Sequence, residues 1–223
     1  MQYGVDPSPH GQRQVMEIIQ SQKFRSYLQS NESCMFMMET GEPFQGDMPG
    51  PGAVSPLTYF GAVLAQTLAK TAIATPFNFL SGNHTSPTDP LFGVAGWLRV
   101  LNFQLLMQYT DRLDLSFMDD DLIEGIARGS LAHLLRLLRG LIGSVVRSVG
   151  RSAITCWLDG ASVFESDQFK DDFLITIASL QQLLRDVDSC RGLLVLKIGL
   201  SFPYTSRYAR ELFAPDRILT LSR

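Results

Sequence analysis

Cys34-Met35-Phe36-Met37-Met38, running on through Glu39-Thr40 into Gly41-Glu42-Pro43-Phe44-Gln45-Gly46, is the stretch on which the reading of this chain turns. Five apolar residues are enough for a buried strand and too few for a helix. The loop that follows has glycines at 41 and 46. From Asp47 to Ser55 the chain is dense in glycine and proline (Pro49, Gly50, Pro51, Gly52), which excludes a helix interior. Ser55-Pro56 then reads as a helix start, with serine as cap and proline in the first turn. Leu57, Phe60, Leu64 and Leu68 supply an apolar face up to Lys70. Strand, glycine loop and helix come in the order that lets backbone N–H groups and a helix N-terminus face an anion.

Working outward, residues 1–11 read as a flexible lead-in and residues 12–223 as one domain. Val15, Ile18, Ile19, Phe24 and Leu28 recur at helical spacing, with a break near Ser21. Phe77-Asn78-Phe79-Leu80 suits a second strand, and Gly93 to Tyr109 a helix built on Trp97, Leu98, Leu101, Leu105 and Leu106. Leu122 to Val149 is helical in pattern, and its glycines divide it in two. Ala153 to Leu158 forms a third strand ending at Asp159-Gly160, Phe173 to Val187 a helix, and Leu193 to Leu200 a fourth strand. Tyr204 to Phe213 reads as a short helix and Arg217 to Leu221 as a fifth strand. Strands alternating with helices predict an α/β fold whose parallel sheet is covered on both faces.

Composition narrows the function. With 223 residues, 45% of them hydrophobic, the chain can bury one sizeable core. A formal net charge of -3 gives no global attraction for nucleic acid. Cys34, Cys156 and Cys190 are widely spaced and sit in or beside apolar runs, as buried thiols of a reducing compartment do. No secretory signal and no 18-residue apolar run is present, so a cytoplasmic chain is expected. His10, His84 and His133 are too dispersed for a metal site or a catalytic triad, and no G-x-S-x-G elbow occurs.

Gly41 and Gly46 have the spacing of the phosphate loop G-x-x-x-x-G-K-[ST], but the next residues are Asp47 and Met48. An acid stands where a lysine would reach the terminal phosphates, and a thioether where a hydroxyl would hold magnesium. A unit charge pair about 4 Å apart at an effective dielectric of ~20 is worth on the order of 4 kcal/mol, so this exchange replaces an attraction by a comparable repulsion. Downstream, Ile154 to Asp159 has the form of a Walker B strand, an apolar run ending in the aspartate that would orient magnesium.

Taken in order, these pieces resemble the NACHT domains of STAND signal-transduction NTPases, especially variants from filamentous fungi. The resemblance runs from Val15 to about Leu221. Val15 to Leu28 looks like the family's helix before the first strand, Trp97 to Leu106 like its "LLRSLLYQLL" helix, and Leu158-Asp159-Gly160 like the start of its "LDGLDE". It implies a three-layer α/β/α P-loop NTPase-like fold with a five-stranded parallel sheet in the order 5-1-4-3-2, with Gly41 to Gly46 and Asp159 on one edge. The departures fall on chemistry. Ser162 stands where the family has its second acid, although Glu165 lies nearby; Leu200-Ser201-Phe202 stands where it has "TSR", which leaves the role of Arg207 open.

Together these features lead to the expectation of a non-catalytic regulatory or protein-interaction module with no resident cofactor, working with protein partners or other domains of a longer chain. The alternative is a switch or weak NTPase that binds ATP or GTP, with Asp159 holding magnesium. A second alternative is a membrane-associated module using Arg128, Arg136, Arg139, Arg147 and Arg151, against which stands the reading of an outer helix with its arginines in water. Asp119-Asp120-Asp121 reads as a helix start rather than a metal cluster.

Overall fold

The computed structural model describes residues 9–41, 55–71, 73–84, 86–190 and 192–222. Five strands, β1 (Cys34–Thr40), β2 (Thr75–Leu80), β3 (Ser152–Asp159), β4 (Leu194–Phe202) and β5 (Ile218–Leu221), form one sheet in the order β2-β3-β4-β1-β5. Every pairing is parallel, with Cys34 beside Lys197, Met37 beside Ile218 and Leu158 beside Leu200. This is the predicted order, read from the other edge.

Helices α1 (Pro9–Gln20), α2 (Gln22–Gln29) and α3 (Pro56–Thr71) cover one face; α4 (Gly93–Tyr109), α5 (Asp120–Ala127), α6 (Leu131–Ser148) and α7 (Lys170–Ser189) cover the other. The strands feed both cores by simple alternation. Met35 and Met37 of β1 face α4 to α7, while Cys34, Phe36 and Met38 face α1 to α3. A sheet buried on both sides needs near-continuous apolar runs, which is why β1, β3 and β4 carry so few polar residues.

The predicted breaks have local causes. Ser21 divides α1 from α2 and caps α2, its hydroxyl accepting from Phe24 N. Asp119 caps α5 through a 2.8 Å bond from Leu122 N, so the acidic run is indeed a helix start. The strands differ from the sequence reading by one or two residues at their ends, and three helical segments differ by more. Helix α1 begins at Pro9, inside the stretch read as lead-in, because proline suits a first turn and Gly11 packs inside. Helix α7 is longer at both ends. Of the helix expected over Tyr204 to Phe213, only a 3-10 turn at Ala209–Leu212 forms, since the preceding backbone is claimed by buried carboxylates described below.

Helix α3 lies unusually close to the sheet at Trp157. A Cβ on Gly61 would come within 2.6 Å of Trp157 Nε1, and one on Gly199 of β4 within 2.1 Å of the same ring. The indole therefore occupies a slot between a helix and a neighbouring strand that only two glycines leave open. Replacing Gly61 by Ala tests this by its sign. On helix propensity alone it would stabilise by about 1 kcal/mol; instead it is expected to destabilise by about 1–3 kcal/mol, the usual cost of overpacking, read as a lowered urea midpoint.

Candidate functional site

All five strands point the same way, so the C-terminal ends of β1 and β3 share one edge. Gly41 leaves the sheet there, its N–H donating to Leu221 O at 3.2 Å, and Asp159 ends β3 on the same edge. Glu42 to Val54, and with them the predicted loop residues Gly46, Asp47 and Met48, lie outside the described residues.

Asp159 is only 6% exposed, and both carboxylate oxygens are engaged. Ser201 Oγ, at the end of β4, donates to Oδ1 at 2.5 Å. Thr58 Oγ1, in the first turn of α3, donates to Oδ2 at 2.5 Å. Since the Thr58 proton is spent on Asp159, the 2.9 Å contact between Ser55 Oγ and Thr58 Oγ1 is donated by Ser55, whose oxygen accepts from Thr58 N at 3.0 Å as the helix cap. Ser201 Oγ also accepts from Gly160 N at 3.2 Å. Gly160 turns the chain at a φ of 70°, where a side chain would be strained and would meet Ser81 Oγ at 2.6 Å. Ser81 Oγ lies 2.7 Å from the carbonyl oxygens of both Asp159 and Gly160 and shares its one proton between them, fastening the end of β2 to this turn. Burial pushes the Asp159 carboxyl above its ordinary value, and the Ser201, Thr58 and Gly160 hydrogen bonds offset this only in part.

The other two residues assigned to this strand end go elsewhere. Ser162 lies in the 3-10 turn Ala161–Glu165, its hydroxyl buried and unpaired. The Glu165 carboxylate, 5% exposed, accepts from Ser206 Oγ at 2.5 Å and from the backbone N–H groups of Arg207, Tyr208 and Ala209 at 2.8, 3.0 and 2.9 Å. Its four donors come from the segment after β4, three on Oε1 and one on Oε2. Sequence reasoning missed a third acid. Glu39, fully buried near the end of β1, accepts from Ser206 N at 3.0 Å, from Thr220 Oγ1 at 2.9 Å and from the Arg210 guanidinium. A charged residue near the end of an apolar strand was the available signal. Thr58 was missed as well; its signal was the spacing Ser55-x-x-Thr58 at a helix start.

One chemical fact holds whatever register is chosen for the phosphate loop. The chain has no lysine or arginine between Arg25 and Lys70, so the whole connection from β1 to α3 lacks a cation. At Asp159 the edge thus offers a carboxylate and hydroxyls, a donor set that suits magnesium, and the connection from β1 to α3 adds no positive side chain for phosphate.

Four of the five arginines of the basic stretch have acidic partners. Arg136 pairs with Asp119 and Asp121, Arg139 with Asp186, and Arg147 with Asp114, while Arg128, just after α5, pairs with Glu124. These are exposed pairs of small energetic weight, but they place acids among the arginines. Among the described residues no helix is long and apolar enough to cross a membrane.

Two expectations follow. A carboxyl raised in the fold favours the protonated form there, so its contribution to stability is greatest at low pH and is lost as pH climbs through the raised value. Asp159→Asn removes the titrating group and is therefore expected to flatten that part of the profile, measured by comparing denaturant midpoints of the two proteins in acidic and in neutral buffer. Glu165→Gln replaces an acceptor by a donor against Arg207 N; a loss of about 1–3 kcal/mol is expected in the same assay.

No protein-family profile matches the chain, and neither does any curated protein sequence. Solved structures do match. The Aeropyrum pernix ORC2 protein in its ADP form is 14% identical, with a TM-score of 0.51 over 100% of this chain and 51% of that one. The same protein in its ADPNP-ADP complexes gives 14% identity, 96% and 47% coverage and a TM-score of 0.48. This chain thus spans about half the length of the ORC2 chain. At such identity the likeness concerns fold alone, and with the all-parallel β2-β3-β4-β1-β5 sheet it establishes a P-loop NTPase-like α/β fold.

Proposed function

We propose that this domain is a non-hydrolysing member of the NACHT/STAND type, a pseudo-NTPase that serves as a regulatory or protein-interaction module in the cytoplasm. The observation that carries the reading is the state of Asp159. The carboxylate that would face magnesium is buried, and each of its oxygens already accepts a protein hydroxyl, from Ser201 and from Thr58, at an edge whose connecting loop contains no cation. Hydrolysis further requires a group that positions water; Ser162 has no acid function, and Glu165 is turned to four donors of the segment after β4. The regulatory half of the reading rests on the resemblance in sequence order, from the helix before β1 to the Leu158-Asp159-Gly160 turn. The free thiols Cys34, Cys156 and Cys190 suit a reducing compartment.

A second reading, a nucleotide-binding switch, is favoured by one contact. A hydroxyl in the first turn of the helix after the loop, beside the aspartate that ends β3, is the pair that holds magnesium in P-loop NTPases. The related fold of ORC2 is described in an ADP form. When magnesium nucleotide is bound, that pair would supply charge neutralisation at the phosphates.

Calorimetric titration with ATP and GTP, with and without magnesium, decides between them. No heat of binding and no phosphate release are expected; micromolar affinity that depends on magnesium would establish the switch instead. The double change Asp47→Lys with Met48→Ser is expected to leave binding absent. Helix α3 starts at Pro56, and the hydroxyl that meets Asp159 belongs to Thr58, so a serine at 48 is ten positions from the place where it would act.

A further inference from the structure

At the opposite end of the sheet, β4 carries a lysine where a parallel strand covered on both faces has no reason to hold one. Lys197 is 4% exposed, and among the described residues no carboxylate lies within ion-pair distance of it. Its Nζ donates to Ser30 Oγ at 2.6 Å, stands 5.4 Å from the centre of the Tyr27 ring and lies 3.4 Å from Cys34 Sγ. Cys34 and Lys197 are register partners on β1 and β4, so their side chains leave the sheet on the same face and stay side by side. The Tyr27 hydroxyl, buried in the same cluster, has no hydrogen-bond partner.

We propose that Cys34 and Lys197 form a peroxide-sensitive modification site, at which Cys34, once oxidised to the sulfenic acid, is captured by the Lys197 amine as a reversible sulfur–nitrogen crosslink between β1 and β4. In the first step the Cys34 sulfur attacks one oxygen of hydrogen peroxide and the O–O bond breaks. Sulfur is oxidised by two electrons, the peroxide is reduced, and the second oxygen leaves as water with the thiol proton. In the second step the nitrogen lone pair of the neutral amine attacks sulfur and the S–O bond breaks. The hydroxide takes a proton from nitrogen and leaves as water. No further oxidant is needed. Burial lowers the pKa of the Lys197 ammonium, which enlarges the share of nucleophilic amine.

The other cysteines act as internal controls. Cys156 is sealed inside β3 with its thiol pushed up to about 12 by burial, and Cys190, more exposed than Cys34, has its thiol 3.5 Å from the Asp186 carbonyl oxygen and is the thiol against which Cys34 is compared. Reactivity toward peroxide follows thiolate character and access. Cys34, 8% exposed at the very start of β1, is the thiol with an amine beside it. Lys197 lies four residues before Ser201 on β4, about 13 Å along the strand at ~3.3 Å per residue, so the crosslink would tie the central strand β4 to its neighbour β1 without touching Asp159. The site is independent of the nucleotide reading.

The test treats the full chain with hydrogen peroxide, quenches it and maps peptides by mass spectrometry. The expected product is a linked pair of peptides carrying Cys34 and Lys197, two hydrogens lighter than their sum, which separates on treatment with a thiol reductant. Lys197→Arg keeps the positive charge but offers no neutral amine; in it the link should be lost and Cys34 sulfenic acid should become trappable by dimedone. Oxidation of wild-type Cys34 without a link to Lys197, or oxidation of Cys190 with Cys34 untouched, would overturn the proposal. Both outcomes are read on the wild-type chain, so the decision stands even if the arginine variant does not fold.

Discussion

The docking of α3 on β3 governs the candidate site, and it is fixed at two points one helical turn apart. Gly61 lies against the Trp157 indole, and Thr58 donates to Asp159. On the helix these residues are three apart, which places them on one face; on the strand they are two apart, which does the same. Neither contact is separable from the other. The close approach at Gly61 brings the first turn of α3 within hydrogen-bond reach of the strand end, and Gly199 makes that approach tolerable by leaving room for the indole on β4.

Three carboxylates, Glu39, Asp159 and Glu165, then do the work of joining the loops at this edge. Each is buried, and each accepts from groups far away in sequence: Glu39 from Ser206, Arg210 and Thr220, Asp159 from Thr58 and Ser201, Glu165 from the segment Ser206 to Ala209. Ser206 belongs to two of these sets, its N–H serving Glu39 and its hydroxyl serving Glu165. A buried donor left without an acceptor costs about 1–3 kcal/mol, so the connection from β4 to β5 is shaped by these acids and not by helix propensity. That is why the helix expected there shrinks to one 3-10 turn.

The parts of the molecule that were legible in the sequence are those set by period and by local chemistry. Five apolar runs of strand length gave the strands, and Ser21, Ser55 and Asp119 marked helix starts through caps that act within three residues. The order of the strands came through the resemblance, since no local signal states which strand lies beside which. The edge chemistry was less legible. Asp159 was found because a strand that ends in Asp-Gly is a local pattern, whereas its partners Thr58 and Ser201 lie 101 and 42 residues away. The hydrogen bonds of Glu165 were not legible, because its four donors belong to a segment 41 to 44 residues downstream that reads as a short helix.

An acid at the end of a strand is usually read as a remnant of catalysis or as catalysis itself, and these three residues argue for a third reason to keep it. Replace Asp159 by an apolar residue and two hydroxyls, those of Thr58 and Ser201, lose their acceptor inside the fold; replace Glu165 and three backbone N–H groups with one hydroxyl lose theirs. Those groups come from different helices, strands and loops, so no single compensating change restores them. Hydrogen-bond satisfaction thus holds the carboxylates in place whether or not a nucleotide ever meets them. The cation has no such hold. A lysine in the connection between β1 and α3 would have its partner on a ligand and not on the protein, so its loss leaves no donor or acceptor unpaired. The acids of this edge are thus held by the fold itself, whereas the connection from β1 to α3, which has no lysine or arginine, has no such hold on a cation.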